Sequence, residues 1–251
     1  EMVQIGKQDG VTTLILNRPK QRNALDAGVI DGLIQAIEEA EADHDTRCLV
    51  IRGAGGNFCA GRDLTHPPER NLAAVLAADE TWTKVNRLLH RINIPTVAVV
   101  EGYAVAGGFT LAMICDFVLA EIGAQFGALE MRRNFPAAIN TPVLSSLVGP
   151  RLALEFLLFG DLIPAQRLYE VGLINRLVEG AEALNQVAHQ FVGGLAALDP
   201  DAVRMTKESQ RAARNMPLID ALEMGKLGNA LIAASGRMDE AMQGYADSKK
   251  D

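Results

Sequence analysis

The feature that most constrains the fold is the order of segments over residues 96–120. The strand-like TVAVV (96–100) runs through Glu101-Gly102-Tyr103-Ala104-Val105-Ala106-Gly107-Gly108 into an apolar helix ending near Cys115, and DFVLA (116–120) is again strand-like. Short β-branched runs separated by helix-period segments specify alternating strands and helices. The chain opens in the same way. VTTLILN (11–17) and CLVIRG (48–53) read as strands, and Val29, Ile30, Leu33, Ile34 and Ile37 recur between them at helical spacing. Trp82, Val85, Leu88, Leu89 and Ile92 form a further helical stripe that Pro95 ends. Beyond residue 150 the pattern is almost wholly helical, with starts at Pro164 and Asp199-Pro200 and a stop at Gly172. The chain therefore reads as α/β in front and helical behind, with a core over 1–195 and a helical extension over 196–251 expected to pack on a neighbouring subunit. No Pro/Gly/Ser-rich linker separates the parts, and no fixed-period repeat is evident.

Composition narrows the function classes. Acidic residues exceed basic ones by 31 to 24, a formal charge of −7 without a basic cluster, which argues against nucleic acid as a partner. The longest uncharged stretch, Asn134–Pro150, is too short and too broken by proline to span a bilayer, so no membrane partner is expected. The opening EMVQIGKQDG lacks the basic-then-apolar order of a secretory signal. Cys48, Cys59 and Cys115 are odd in number and contain no C-x-x-C pair, so a reducing cytoplasm is the expected location.

Three segments carry candidate chemistry: Phe58–Leu64, Glu101–Gly108 and Ala124–Glu130. In the first two a strand enters a small-residue turn, an arrangement that leaves backbone N–H groups unpaired at a helix start. Two such turns facing each other would form an oxyanion hole. Other chemistries lack their motifs. Gly102 and Gly107 have P-loop spacing, but Gly108-Phe109 stand where Lys and Ser or Thr are needed. No strand is followed by G-x-G-x-x-G, no G-x-S-x-G is present, and the four histidines have no ligand spacing, so no metal is expected. Cys59 beside the first turn is accounted for by packing.

Taken together, Asn17-Arg18-Pro19, Asn23-Ala24-Leu25, Ala60-Gly61-Arg62-Asp63-Leu64, Gly102-Tyr103-Ala104 with Gly107-Gly108, Glu130, Gly172–Val178 and the tail Asp239-Glu240-Ala241 with Gly244-Tyr245 resemble the enoyl-CoA hydratase/isomerase (crotonase) superfamily in residues and order. The resemblance implies a crotonase-like spiral of ββα units with a C-terminal helical trimerisation region, assembled as a homotrimer or homohexamer. It implies an acyl-CoA substrate and no separate cofactor, coenzyme A being part of the substrate. The oxyanion donors map to the N–H groups of Arg62 and Gly107. Ala60, Asp63 and Leu64 become candidate coenzyme A contacts, and Lys20 and Arg22 candidate phosphate partners.

Hydratases of the family it resembles usually carry two glutamates, although single-glutamate members that hydrate also exist. Here Glu130 keeps the second, but Thr110 occupies the first, where its hydroxyl could hold a water but cannot serve as a carboxylate base. One carboxylate suffices to move a proton between carbons, so double-bond isomerisation or hydration with Glu130 as acid and base is the expected reaction. The alternatives are another enolate reaction (decarboxylation, dehydration or retro-aldol cleavage) and a non-catalytic CoA-binding scaffold. Met131–Thr141 replaces a glycine-rich stretch and should reshape the acyl pocket, where Arg132 and Arg133 could meet a substrate carboxylate.

Overall fold

The computed structural model describes residues 1–65, 69–237 and 242. Strand β1 (Val3–Gln8) turns through Asp9-Gly10, both at positive φ, into β2 (Val11–Leu16), its antiparallel partner. Of its six residues only Val3 is buried, so β1 has no apolar alternation and the sequence reading missed it. Helix α1 (Ala27–Ala42) is capped by Asp26, whose carboxylate accepts from the Val29 N–H at 2.9 Å. There follow β3 (Cys48–Gly53), α2 (Leu72–Arg91), β4 (Thr96–Val100), β5 (Tyr103–Val105), α3 (Gly107–Ile114), β6 (Phe117–Glu121) and β7 (Gln125–Gly127). A 3₁₀ turn over Leu129–Arg133 leads to α4 (Asn140–Leu147), α5 (Pro150–Phe159), β8 (Ile163–Pro164), α6 (Ala165–Glu170), β9 (Arg176–Val178) and α7 (Ala181–Ala196).

The strands form two sheets. The larger has the order β1-β2-β3-β4-β6-β9 and is parallel from β2 onward. The smaller has the order β5-β7-β8, and the bridges Leu25↔Arg62 and Cys59↔Ala104 extend its layer. Each pass of the chain therefore contributes a strand to the large sheet, a short strand or bridge to the second layer, and a helix. The sequence of passes is β2, Leu25, α1; then β3, Cys59, α2; then β4, β5, α3; then β6, β7 and α4. This is the expected spiral of ββα units. The large-sheet strands start at Val11, Cys48, Thr96 and Phe117, so the passes differ in length and leave no period to detect.

Both faces of the large sheet are covered, as a parallel sheet requires. Ala98 and Val100 of β4 join the core built with α1, α2 and α3, while Val97 and Val99 pack with Leu184, Ala188 and Val192 of α7. The helical reading beyond residue 150 needs correction at β8 and β9, which are too short to show a strand period; β9 completes the large sheet beside β6.

The chain divides into two compact units, Glu1–Leu198 and Asp199–Asp251. The expected boundary at 195/196 falls in the last turn of α7, which continues to Ala196. In the second unit, α8 (Pro200–Ala213) is capped by Asp199, and α9 (Leu218–Ala234) follows. Neither helix contains a buried residue, and Leu218, Ile219, Leu222, Leu227 and Leu231 stand exposed on α9. The tail segment from Asp239 to Tyr245, noted for its resemblance, lies outside the described residues. Among the described residues no helix is long and apolar enough to cross a membrane.

Two glycines test this packing. A β-carbon at Gly108 would lie 2.1 Å from the Cys59 carbonyl oxygen, so backbone must move, whereas at Gly193 on α7 it would meet nothing within 4 Å. Gly108→Ala should cost about 1–3 kcal/mol or more in urea unfolding. Gly193→Ala should gain about 0.5–1 kcal/mol by removing glycine's entropy cost. Equal midpoints for the two variants would contradict the packing described.

Candidate active site

The two turns meet backbone to backbone. Gly61 has φ +89, and a β-carbon there would lie 2.8 Å from the Ala106 methyl and 3.0 Å from the Gly107 nitrogen. One at Gly107 would lie 3.5 Å from the Arg62 nitrogen. The structure thus brings together the Arg62 and Gly107 backbones. Among the described residues neither N–H has an acceptor. Gly107 is the first residue of α3, where helical N–H groups lack internal partners.

Arg62 differs from expectation, because α2 begins only at Leu72 and the first turn opens no helix. Its N–H is left over by the bridge to Leu25, in which Leu25 N–H donates to Gly61 O (2.8 Å) and Asp63 N–H to Leu25 O (2.9 Å). Ala106, between β5 and α3, has φ 51 and ψ −119, a conformation that a residue with a β-carbon adopts only under constraint.

Glu130 sits in the 3₁₀ turn. Its Oε1 accepts a 2.8 Å hydrogen bond from Asn140 Nδ2, while its Oε2 is buried and has no partner among the described residues. Asn140 Nδ2 also donates to Ala106 O at 3.1 Å. The Thr110 hydroxyl donates to Asn140 Oδ1 at 2.8 Å, and both residues are buried. Glu130, Thr110 and the Gly107 turn therefore share one amide. Asn140 was not singled out in the sequence; its only signal was its place in the segment that replaces the glycine-rich stretch.

The coenzyme A candidates separate into engaged and available groups. The Asp63 carboxylate is engaged, accepting from Thr65 Oγ1 (2.6 Å), Thr65 N (3.0 Å) and Arg18 (3.0 Å). The Thr65 hydroxyl first, then its N–H and the Arg18 guanidinium, lower its pKa from 3.8 to about 2. Arg18 also pairs with Asp26, and the Arg62 guanidinium with Asp79 of α2. Lys20 and Arg22 are exposed and have no carboxylate partner among the described residues; Arg22 lies 5.1 Å from the centre of the Tyr103 ring. Ala60 N–H donates to Arg22 O at 2.9 Å, and Leu64 is exposed.

Arg132 pairs with Asp161 in the lining of a cavity of about 470 Å³, together with Leu129, Arg133, Gly160 and Leu162. That cavity includes none of Glu130, Thr110 or Asn140. The Cys59 thiol is fully buried, and burial pushes its pKa up to about 12, so it is a packing group.

The family model for enoyl-CoA hydratase/isomerase matches residues 6–251 of this chain. The mitochondrial enoyl-CoA hydratase of Pongo abelii is 34% identical, with 98% of this chain and 84% of the relative covered. The 2,3-dehydroadipyl-CoA hydratase of Escherichia coli is 31% identical, with 98% and 95% covered. The crystal structure of an enoyl-CoA hydratase from Bacillus anthracis superposes with a TM-score of 0.92 at 26% identity, with 99% of this chain and 97% of that one covered.

The tie between Arg18 and Asp63 gives a pH signature. A depressed folded pKa adds stability that is present above the ordinary value and lost as pH falls through the folded one. Asp63→Asn should therefore lower the urea midpoint at pH 6, and the gap from wild type should close between 3.8 and about 2. Asp43, lowered to about 2 chiefly by its hydrogen bond from Lys7, titrates in that window in both proteins and cancels in the difference. A gap that is constant with pH would show that the Asp63 charge is not what holds the turn.

Proposed function

The chain belongs to the enoyl-CoA hydratase/isomerase family, and on that premise we propose that it is an enzyme that forms the enolate of an acyl-CoA thioester and moves a proton through Glu130. The observation that carries this reading is the buried Oε2 of Glu130, joined through Asn140 to the turn bearing the Gly107 N–H, both without a partner among the described residues. In the proposed reaction the thioester oxygen accepts from the Arg62 and Gly107 N–H groups. Taking a proton from C2 puts negative charge on that oxygen. Two preset donors stabilise it, and losing one such donor costs about 3–4 kcal/mol. Glu130 then returns the proton to C4, and the double bond has moved from C3–C4 to C2–C3. No second carboxylate is needed, and no cofactor beyond the coenzyme A of the substrate.

A second reading is hydration, favoured by the names of the relatives, which are hydratases. In it the oxygen of water adds at C3 while Glu130 takes the water's proton and delivers one to C2, and Thr110 supplies no second carboxylate to share that work. On either reading Lys20 and Arg22, cations near the first turn without a carboxylate partner among the described residues, are the proposed contacts of the coenzyme A phosphates, with Ala60 and Leu64 beside them. Asp63 then acts by holding the turn. The exposed apolar residues of α9 support assembly as a homotrimer or homohexamer.

Two experiments test this. Glu130→Gln should lower turnover by about 10²–10⁴ while acyl-CoA binding survives, since Gln keeps the shape and loses the titrating group; activity within about tenfold of wild type would refute the role. Products from 2-enoyl-CoA and 3-enoyl-CoA, followed by mass, distinguish the two readings, because hydration adds a water and isomerisation adds nothing. For the assembly, sedimentation at micromolar concentration should give a trimer or hexamer, and a monomer would contradict it.

A further inference from the structure

We infer that Asn140 is the positioning residue of this site: its single amide sets both the carboxylate that carries the proton and the peptide plane that presents the Gly107 N–H. The inference rests on the enolate reading above. Asn140 is the first residue of α4 and is almost wholly buried. Its two amide hydrogens are both used, one on Glu130 Oε1 at 2.8 Å and one on Ala106 O at 3.1 Å. Its oxygen accepts the Thr110 hydroxyl at 2.8 Å. A carboxylate and a carbonyl are acceptors only, so the amide nitrogen must face them, and Thr110 fits the oxygen that remains. The amide has one orientation, and the Thr110 hydroxyl, also 3.4 Å from Ala106 O, makes its shorter bond to Asn140 Oδ1.

Two consequences follow. Glu130 is held through Oε1, and Oε2 is the oxygen left for substrate. Ala106 O and Gly107 N belong to one peptide group, so a donor on the oxygen fixes the plane of the N–H and polarises it toward its own acceptor. That plane needs holding, because Ala106 carries φ 51 and ψ −119. The Thr110 N–H donates to the same carbonyl at 3.1 Å, and the Ala106 N–H to Gly127 O at 2.8 Å. Asn140 adds a tie from a different element and thereby couples the proton carrier to the oxyanion turn.

The test compares Asn140→Asp, Asn140→Ala, Glu130→Gln and the pair Glu130→Gln/Asn140→Ala. The readouts are kcat, KM, and the near-ultraviolet absorbance of bound acetoacetyl-CoA, whose acidic C2 proton lets the enolate be seen directly. Asn140→Asp keeps the shape and removes both donors, so it reports even if the alanine variant folds poorly. Both Asn140 variants should lower kcat by roughly 10–100-fold, the cost of a misplaced reacting group, with KM within about threefold of wild type. The enolate absorbance should weaken.

In the Glu130→Gln background, Asn140→Ala should further weaken binding of acetoacetyl-CoA relative to butyryl-CoA, because the peptide-plane arm does not run through Glu130. A folded Asn140→Asp with kcat within about threefold of wild type, or a change confined to KM, would overturn the inference while leaving the enolate reading intact. Full activity in Glu130→Gln would overturn that reading and this inference with it. The two failures are distinguished by which variant stays active.

Discussion

Two backbone turns approach so closely that no side chain fits between them, and the site depends on that approach. It begins in the large sheet. Strands β3 and β4 are parallel neighbours, so their following loops leave from the same edge about one strand spacing, near 4.8 Å, apart. Glycines then let the chain close up: a β-carbon at Gly53 would lie 1.9 Å from Asn57 O within the first loop, and one at Gly102 would lie 2.3 Å from Gly56 O across the two. The Cys59↔Ala104 bridge pins them together. The candidate donors are main-chain groups set by the sheet, so no side chain has to be reoriented to make them available.

The fold was legible where a residue's role is local. The strands at β2, β3, β4 and β6 and the helices α1 to α3 follow from apolar period. The small-residue turns marked both loops of the site. The opening Asn-Arg-Pro and Asn-Ala-Leu segments were legible as motifs but not as mechanics. Arg18 ties Asp63 and Asp26, and Asn23 accepts from Arg18 N while donating to Ala54 O and Asn57 O. These residues hold the first turn in place, and no spacing rule exposes bonds made 31 to 45 residues along the chain. Asn140 was hidden for the same reason, since its partners Ala106, Thr110 and Glu130 lie 34, 30 and 10 positions away. Strands β1 and β9 were missed on physical grounds too, one being exposed on every residue but Val3 and the other only three residues long.

Charge around the first turn follows a division of labour that net charge conceals. The chain is acidic overall, yet the proposed substrate carries phosphates. Arg18 and Arg62 are neutralised by Asp63, Asp26 and Asp79, and they serve the loop. Lys20 and Arg22 are exposed and have no carboxylate partner among the described residues, and Arg22 is steadied by the face of Tyr103, which begins the second turn's own strand. The cations available to an anion therefore sit on backbone tied to the same two turns that present the free N–H groups.

Thr110 and Asn140 form one solution, and the solution excludes the other pattern. The amide oxygen of Asn140 faces Thr110 because its nitrogen is committed to Glu130 and Ala106. A hydroxyl can donate to that oxygen. An ionised carboxylate in the same buried place cannot, and two acceptors would then face each other away from solvent. Turning the amide over would satisfy the new carboxylate, but it would set the amide oxygen against Glu130 and against the Ala106 carbonyl. Two ionised carboxylates would therefore set one of them against an acceptor of this asparagine. With Asn140 present, the position after Gly107-Gly108-Phe109 requires a donor, and the side chain found there is a short one that carries a single hydroxyl. Thr110 thus fixes the orientation of the amide that holds Glu130.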